Sequence, residues 1–186
     1  MTHLEMKKKV LAMIEELNPD SELLTDDPDI AAKYIDVTNQ IMFELARMKK
    51  IPKYVEKEVS KGDMVTFETL KEDVGYEVYQ LGTVAGVDHA FKANGTIVKV
   101  LEDGTAEIDV YVYPVRIAEE NQNEYEFELS ADCLEIMPYG VAADLLKSDI
   151  SSEYGSIYAQ RYETMLQRLD PRYNMTSIYI EGGVLF

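Results

Sequence analysis

The sequence contains no tryptophan, a single cysteine and only two histidines. One cysteine cannot form a disulfide within the chain, which excludes a disulfide-stabilised scaffold and fits a reducing compartment. Two histidines and one cysteine also cannot close a Cys/His zinc site, and no EF-hand spacing of acidic residues is present. We therefore expect no cofactor and no resident metal, although a calcium site among the acidic residues of the middle region stays open.

Long apolar runs and basic charge are scarce as well. No stretch of about 18 apolar residues is available to span a bilayer. Lysines precede an apolar segment near the start of the chain, but Glu15 and Glu16 interrupt it and no cleavage site follows, which predicts an amphipathic helix rather than a signal peptide. The 35 acidic residues outnumber the 18 basic ones, which gives a formal charge of -17. We therefore expect DNA to be repelled rather than bound.

The chain contains enough apolar residues to form a core, and its charge is unevenly distributed. Its 186 residues, 46% of them hydrophobic, predict roughly one globular domain or a core with a modest insert. Residues 62–135 hold 17 acids and 4 bases, a net charge of -13, whereas the segments before and after each have a net charge of -2. The middle of the chain is therefore predicted to be a distinct, acidic region.

Two helices are predicted before this region. The first follows Met6, Val10, Met13 and Leu17 and ends at Pro19. Thr25 to Pro28 offers an acidic cap with proline at the first position of the second helix, whose apolar stripe is Ile30, Tyr34, Val37, Ile41, Leu45 and Met48. We interpret Asp26, Asp27 and Asp29 as capping residues rather than as a metal cluster.

From Lys61 onward apolar residues recur at every second position, which indicates strands. The clearest prediction is a hairpin over residues 96–113, with a three-residue loop, a left-handed Gly104, and Val98 opposite Ile108. This register gathers one apolar face of Val98, Val100, Ala106, Ile108, Val110 and Val112. Residues 64–68, 76–85 and 125–129 are predicted as further strands, and Gly75, Gly82, Gly86 and Gly95 as turn glycines rather than a phosphate loop.

No residue is predicted to be catalytic. His3 lies near a terminus that we expect to be disordered, and His89 beside Asp88 would point to the opposite face of a strand, so the two do not form a base with its orienting acid. Glu126 and Glu128 would share a strand face, but a chain this acidic produces such pairs by chance, which favours a solvated face.

After Ser130 the helical period returns. Leu134, Met137, Val141 and Leu145 mark one helix, interrupted or kinked at Pro138, and a turn over residues 148–151 leads to a second helix. That helix carries the stripe Tyr154, Ile157, Arg161, Met165 and Leu169, with Tyr158, Tyr162 and Leu166 alongside. Its tyrosines are candidates for a partner interface, with ordinary core filling as the alternative: Tyr154, Tyr158 and Tyr162.

Residues 170–186 are predicted to run extended beyond the last helix, with residues 176–180 as a strand. They are more apolar than a solvated tail tolerates. Either this arm returns to its own acidic sheet, or it adds as a strand to a neighbouring protein. The residues predicted to contact a partner are Tyr173, Ile178, Tyr179, Ile180, Val184, Leu185 and Phe186.

The order of these segments resembles the head-to-tail connector, or adaptor, proteins of tailed bacteriophages. The resemblance is clearest over residues 131–169, ADCLEIMPYGVAADLLKSDISSEYGSIYAQRYETMLQRL, about a fifth of the chain. It implies an α+β protein: a small helical bundle built from residues 1–60 and 131–169, interrupted by a β-rich insert at 61–130 and followed by an extended arm at 170–186. The insert has no counterpart that can be matched residue by residue.

The resemblance also implies a non-enzymatic role. Several copies would assemble into a ring beneath the portal protein, in contact with a tail or tail-completion protein, in a virion assembled in the bacterial cytoplasm. DNA would pass without specific binding, and the acidic insert would either line that channel or face outward and favour solubility. The alternatives from other classes are a metal-dependent hydrolase that uses the acids of the insert, and a module that binds a sugar or another protein.

Overall fold

The computed structural model describes residues 1–148 and 153–169. Within them the chain forms five helices and two antiparallel sheets of three strands each, so both α and β structure are present, as the sequence predicts. In chain order the elements are α1 His3–Met13, α2 Pro28–Met48, β1 Ile51–Val59, β2 Met64–Thr66, α3 Phe67–Val74, β3 Val78–Ala85, β4 His89–Lys92, β5 Ile97–Val100, β6 Gly104–Val112, α4 Ala131–Leu145 and α5 Glu153–Leu169.

The chain divides into two compact units. Unit 1 is formed by residues 1–41 with the chain from Ser130 onward, and unit 2 by residues 42–129, so that the division falls inside α2. None of the helices in the described part of the chain is long and apolar enough to cross a membrane.

In unit 1, the start of α2 is as predicted and the end of α1 is not. Asp27 Oδ1 accepts the backbone N–H groups of Asp29 and Ile30, at 2.8 and 3.2 Å, which confirms the acidic cap before Pro28. Helix α1 ends at Met13, and Glu15 has a left-handed φ of 63°, so the helix does not reach the proline. The prediction that Leu17 continues the apolar stripe was wrong, because the chain has already turned and Leu17 is exposed.

Helices α4 and α5 pack closely at a glycine. A Cβ atom added to Gly140 would lie 2.8 Å from Tyr162 Cε2 and 3.1 Å from Ile41 Cγ2, so only glycine fits without displacement of these side chains. A kink or an interruption was expected at Pro138, and helix α4 continues through this proline without an interruption. Residues 149–152, which include most of the predicted turn between α4 and α5, lie outside the described part of the chain.

In unit 2, the two sheets have the strand orders β1-β6-β3 and β2-β5-β4. The predicted hairpin between residues 96 and 113 was wrong, because β5 and β6 belong to different sheets: Val98 is paired with Val65, and Ile108 with Val55. Gly104 does not have a left-handed backbone conformation either, and it is the first residue of β6. The predicted apolar set is nevertheless buried in one core, namely Val98, Val100, Ala106, Ile108, Val110 and Val112.

Other elements of unit 2 differ from the sequence predictions. Strand β1 begins at Ile51, inside the range assigned to the N-terminal helices. Residues 67–74 form helix α3, which starts with a capping box at Thr66 and ends at a left-handed Gly75. Residues 125–129 do not form a strand, although their apolar residues are still buried in alternation. Gly86 and Gly95 have positive φ, as expected of turn glycines, whereas Gly82 lies within β3.

Candidate functional site

The four arginines in the described part of the chain line two cavities. Arg47 and Arg116 line a cavity of about 520 Å³ in unit 2, and Arg161 and Arg168 line one of about 530 Å³ in unit 1. Arginine presents a planar fork of donors that matches a carboxylate, and it stacks on aromatic rings. We therefore treat these two cavities, named the aromatic pocket and the α5 groove, as the candidate functional sites.

The aromatic pocket is walled by rings from three separate segments of unit 2. Phe43 comes from α2, Tyr76 from the turn after α3, and Tyr113 from the residue that follows β6. The Tyr113 ring centroid lies 5.2 Å from that of Phe43 and 4.6 Å from that of Tyr79. These spacings are within the range of favourable aromatic pairs, so the wall is a packed cluster rather than a set of loose side chains.

Tyr79 anchors this cluster to α2. Its hydroxyl donates to the carbonyl oxygen of Ala46 at 3.0 Å. Burial raises the pKa of Tyr79 to about 12, and the neighbouring Tyr113 and Tyr111 add to the shift, whereas Arg47 opposes it. The phenol is therefore neutral at physiological pH and can act as this donor.

Arg47 is held against the aromatic wall. Its Nε donates to the Tyr113 hydroxyl, and its guanidinium carbon lies 5.2 Å from the centroid of the same ring. The lining also includes Glu77, but the Glu77 carboxylate is hydrogen-bonded by the Lys71 ammonium, and this bond raises the pKa of Lys71. Glu77 is thus engaged elsewhere, and the pocket combines partly buried rings with exposed arginine charge.

The α5 groove has a different lining. Ile157 and Met165 supply its apolar surface, and Arg161, Arg168 and Glu135 its charge. Ile157 is 54% exposed and Tyr154, one turn before it, is 57% exposed. The Arg161 guanidinium lies 4.6 Å from the Tyr139 ring centroid, which holds it at one side of the groove.

The three tyrosines predicted as a helix interface have three different environments. Tyr154 is exposed and stays a candidate for contact with a partner. Tyr158 donates its hydroxyl to the Met13 carbonyl oxygen at 2.5 Å, and its pKa is raised by burial and by Tyr154, Glu15 and Tyr139. Tyr162 is buried above Gly140, in agreement with the core-filling alternative. The seven predicted interface residues of the arm lie outside the described part of the chain.

The two histidines lie apart from both cavities. His3 is in α1 and only 2% exposed, with its ring 5.5 Å from that of Tyr34, so the expectation of a disordered terminus there was wrong. His89 is in β4, where Nδ1 lies 3.1 Å from the Val87 carbonyl oxygen and the ring is 5.2 Å from that of Phe91. In residues 1–148 and 153–169, no three or more histidine, cysteine or acidic residues are placed to hold a metal ion.

The acidic charge is more evenly shared between the units than along the sequence. Unit 2 has 18 acids and 10 bases, a net charge of -8, and the rest of the chain has a net charge of -9. The reason is that residues 42–61, from the end of α2 through strand β1, bring six bases into unit 2. On the first sheet Glu56 is paired directly with Glu107, and burial together with Glu107, Glu56 and Asp109 raises the pKa of Tyr54.

Sequence reasoning missed the aromatic pocket. Arg47 lies in the last turn of a helix, where a basic residue is explained by the helix dipole alone, and Tyr76 and Tyr113 were predicted only as ends of strands. One available signal was that Arg47 and Arg116 are the only arginines in residues 42–129, where all other bases are lysines. No protein-family model matches this chain, and no curated protein sequence matches it.

Proposed function

We propose that this chain is a non-enzymatic structural subunit of the phage head-to-tail connector. In this proposal the N- and C-terminal helices form a small bundle, the β-rich segment is an insert in it, and copies of the chain form a ring. The partners are the portal protein on one side and a tail or tail-completion protein on the other. The ring belongs to the virion and is assembled in the host cytoplasm.

The observation that carries the proposal is the exposed apolar surface along α5. Tyr154 and Ile157 are each more than half exposed. Ile157 lines the α5 groove with the partly buried Met165 and with charged side chains. Apolar surface combined with charged groups is typical of protein interfaces. Removal of one isoleucine side chain from water contributes about 1.5–3 kcal/mol, so a few such residues stabilise a contact that is repeated around a ring.

The charge of the chain is compatible with a DNA channel. A net charge of -17 disfavours binding to phosphates, and repulsion keeps a passing polyanion from adhering to the wall. Because both units are acidic, the wall of the channel need not be formed by the β-rich segment alone.

The α5 surface is tested by a change that leaves the fold intact. Ile157→Arg adds a charge to the lining of the groove, where burial against another copy would remove it from water. We expect the assembled species to disappear in size-exclusion chromatography with light scattering, with a change in unfolding free energy of less than about 0.5 kcal/mol, as is usual for surface substitutions.

The matched control is Gln167→Arg, which introduces the same side chain on the exposed part of α5 outside the groove. This variant is expected to assemble like the unchanged chain. Normal assembly of Ile157→Arg, or equal loss in both variants, contradicts a role for the groove.

A second candidate function is a module that binds another protein. The aromatic pocket favours it, because partly buried rings with a positioned arginine are typical of sites for peptide side chains. The two functions are compatible, since a connector subunit also has to bind its neighbours. The hydrolase alternative receives no such support from the described residues.

A further inference from the structure

Unit 2 uses lysine for most of its basic residues and arginine only at the aromatic pocket. Eight of its ten bases are lysines, and both arginines, Arg47 and Arg116, line this one cavity. Lysine is a point charge that water solvates well, whereas arginine can bind a carboxylate through two parallel hydrogen bonds. The distribution therefore points to recognition of a planar anionic group at the pocket.

The contacts of Arg47 position it for such a ligand. The Nε donor is bonded to the Tyr113 hydroxyl and the guanidinium lies against the Tyr113 ring, so the side chain is fixed in place before a ligand arrives. The bond through Nε leaves the donors of both Nη atoms for a carboxylate. Phe43 and Tyr76 add apolar surface next to this charge. A fitting ligand has an aromatic or aliphatic side chain followed closely by a carboxylate.

The arm of this chain contains such a segment. In residues 171–186 Glu181 is the only acid, and it directly follows Ile178, Tyr179 and Ile180. Gly182 and Gly183 come next, and glycine permits a sharp change of direction after the carboxylate.

We propose that the aromatic pocket binds residues 178–181 of a second copy of this chain, with Glu181 on Arg47 and the side chains of Tyr179 and Ile180 against the rings of Tyr76 and Tyr113. The inference rests on the proposed ring. When each subunit binds the arm of the next, two different surfaces meet at every contact. Such heterologous contacts close into a ring when the rotation between subunits allows it. The main-chain pairing expected of a strand in the arm is compatible with this anchor.

The test uses the full chain with a photoreactive phenylalanine analogue in place of Ile180. Copies labelled with nitrogen-15 and unlabelled copies are mixed and irradiated, and the cross-linked peptides are identified by mass spectrometry. We expect cross-links to residues that line the pocket, in pairs of mixed isotopic composition, because arm and pocket come from different copies. Cross-links that join one copy to itself, or that map outside the pocket, overturn the proposal.

Charge reversal tests the ion pair itself. Arg47→Glu is expected to lower the cross-link yield at least tenfold, and Glu181→Arg likewise, whereas a mixture of the two variants recovers it because the pocket of one variant then faces an arm of opposite charge from the other. The matched control is Lys92→Glu, an equal charge change at an exposed position of unit 2 away from this pocket. Tyr113→Phe keeps the ring and removes the hydroxyl that orients Arg47, so a smaller loss is expected. No loss with Arg47→Glu, or no recovery in the mixture, overturns the proposal.

A mass measurement on the same samples distinguishes the loss of the contact at the pocket from the absence of a ring. If the chain assembles but its cross-links lie elsewhere, the pocket proposal fails and the ring survives. If the chain is a monomer in all conditions, the ring itself fails.

Discussion

The two units have nearly the same net charge and a cavity of nearly the same volume, yet the cavities differ in chemistry. In unit 2 the two arginines stand beside partly buried rings, and one of them is fixed by a tyrosine hydroxyl. In unit 1 Arg161 and Arg168 line a groove together with an exposed isoleucine of the same helix. The first arrangement suits a single side chain with a carboxylate, and the second suits a broad contact between helices. Charge counts alone do not distinguish these surfaces; the residues beside the arginines do.

The units also differ in what surrounds a closely packed glycine. In unit 2 a Cβ atom at Gly86 would overlap the backbone carbonyl oxygen of Thr105, and Gly86 has a φ of 82°. In unit 1 the contact at Gly140 is with the side chains of Tyr162 and Ile41. Backbone cannot move aside as a side chain can, so the glycine of unit 2 is the less replaceable of the two.

The largest effect is expected from Gly86→Ala. The clash with Thr105 adds about 1–3 kcal/mol to the cost of a positive φ, which is about 1–2 kcal/mol for a residue with a side chain. The control is Gly62→Ala, where φ is also positive, at 101°, but no atom lies within 4 Å of the added Cβ. Urea denaturation should give a larger loss for Gly86→Ala than for Gly62→Ala; equal losses contradict the role of the carbonyl contact.

A smaller loss is expected from Gly140→Ala, because the shift of Tyr162 away from the added atom costs about 1–3 kcal/mol. The better helix propensity of alanine, about 1 kcal/mol, offsets part of this cost in α4. Gly155→Ala in α5 is the comparison variant. Its Cβ would lie 3.3 Å from Leu146 Cβ, and the better helix propensity of alanine, about 1 kcal/mol, offsets that contact. Hydrogen exchange followed by mass spectrometry is expected to show the loss of protection for Gly140→Ala in unit 1. Full protection there, or a loss only in unit 2, is the contrary result.

The smallest effect is a pH dependence of stability that comes from Tyr79, which packs against Tyr113 of the aromatic pocket. The pKa of Tyr79 is raised from 10.0 to about 12 in the folded chain. The unfolded chain therefore releases this proton first, and the contribution of Tyr79 is fully present below pH 10 and is lost as the pH rises toward 12. Tyr79→Phe should reduce the fall in unfolding free energy between these values. An identical fall in the variant contradicts the assignment to Tyr79.

Local features were predictable from the sequence, and pairings between distant segments were not. The cap at Asp27 depends on its immediate neighbours, and the buried face of β6 follows from strict alternation. The alternation of apolar and polar residues shows which side chains of a strand are buried, but it does not show which strand is its neighbour. Val98 and Ile108 were therefore assigned to one hairpin. In the structure Val98 pairs with Val65, and Ile108 pairs with Val55. The same limit applies to the aromatic pocket, because Phe43, Tyr76 and Tyr113 become neighbours only after β1, α3 and β6 have assembled.

The central claim, a ring of identical subunits, is tested most directly by electron microscopy of the purified full chain, with the Ile157→Arg variant imaged in parallel. We expect closed rings of the unchanged chain, and single subunits of about 21.2 kDa for the variant. Particles of the unchanged chain that remain single subunits at all concentrations, alone and after mixing with portal protein, would contradict it.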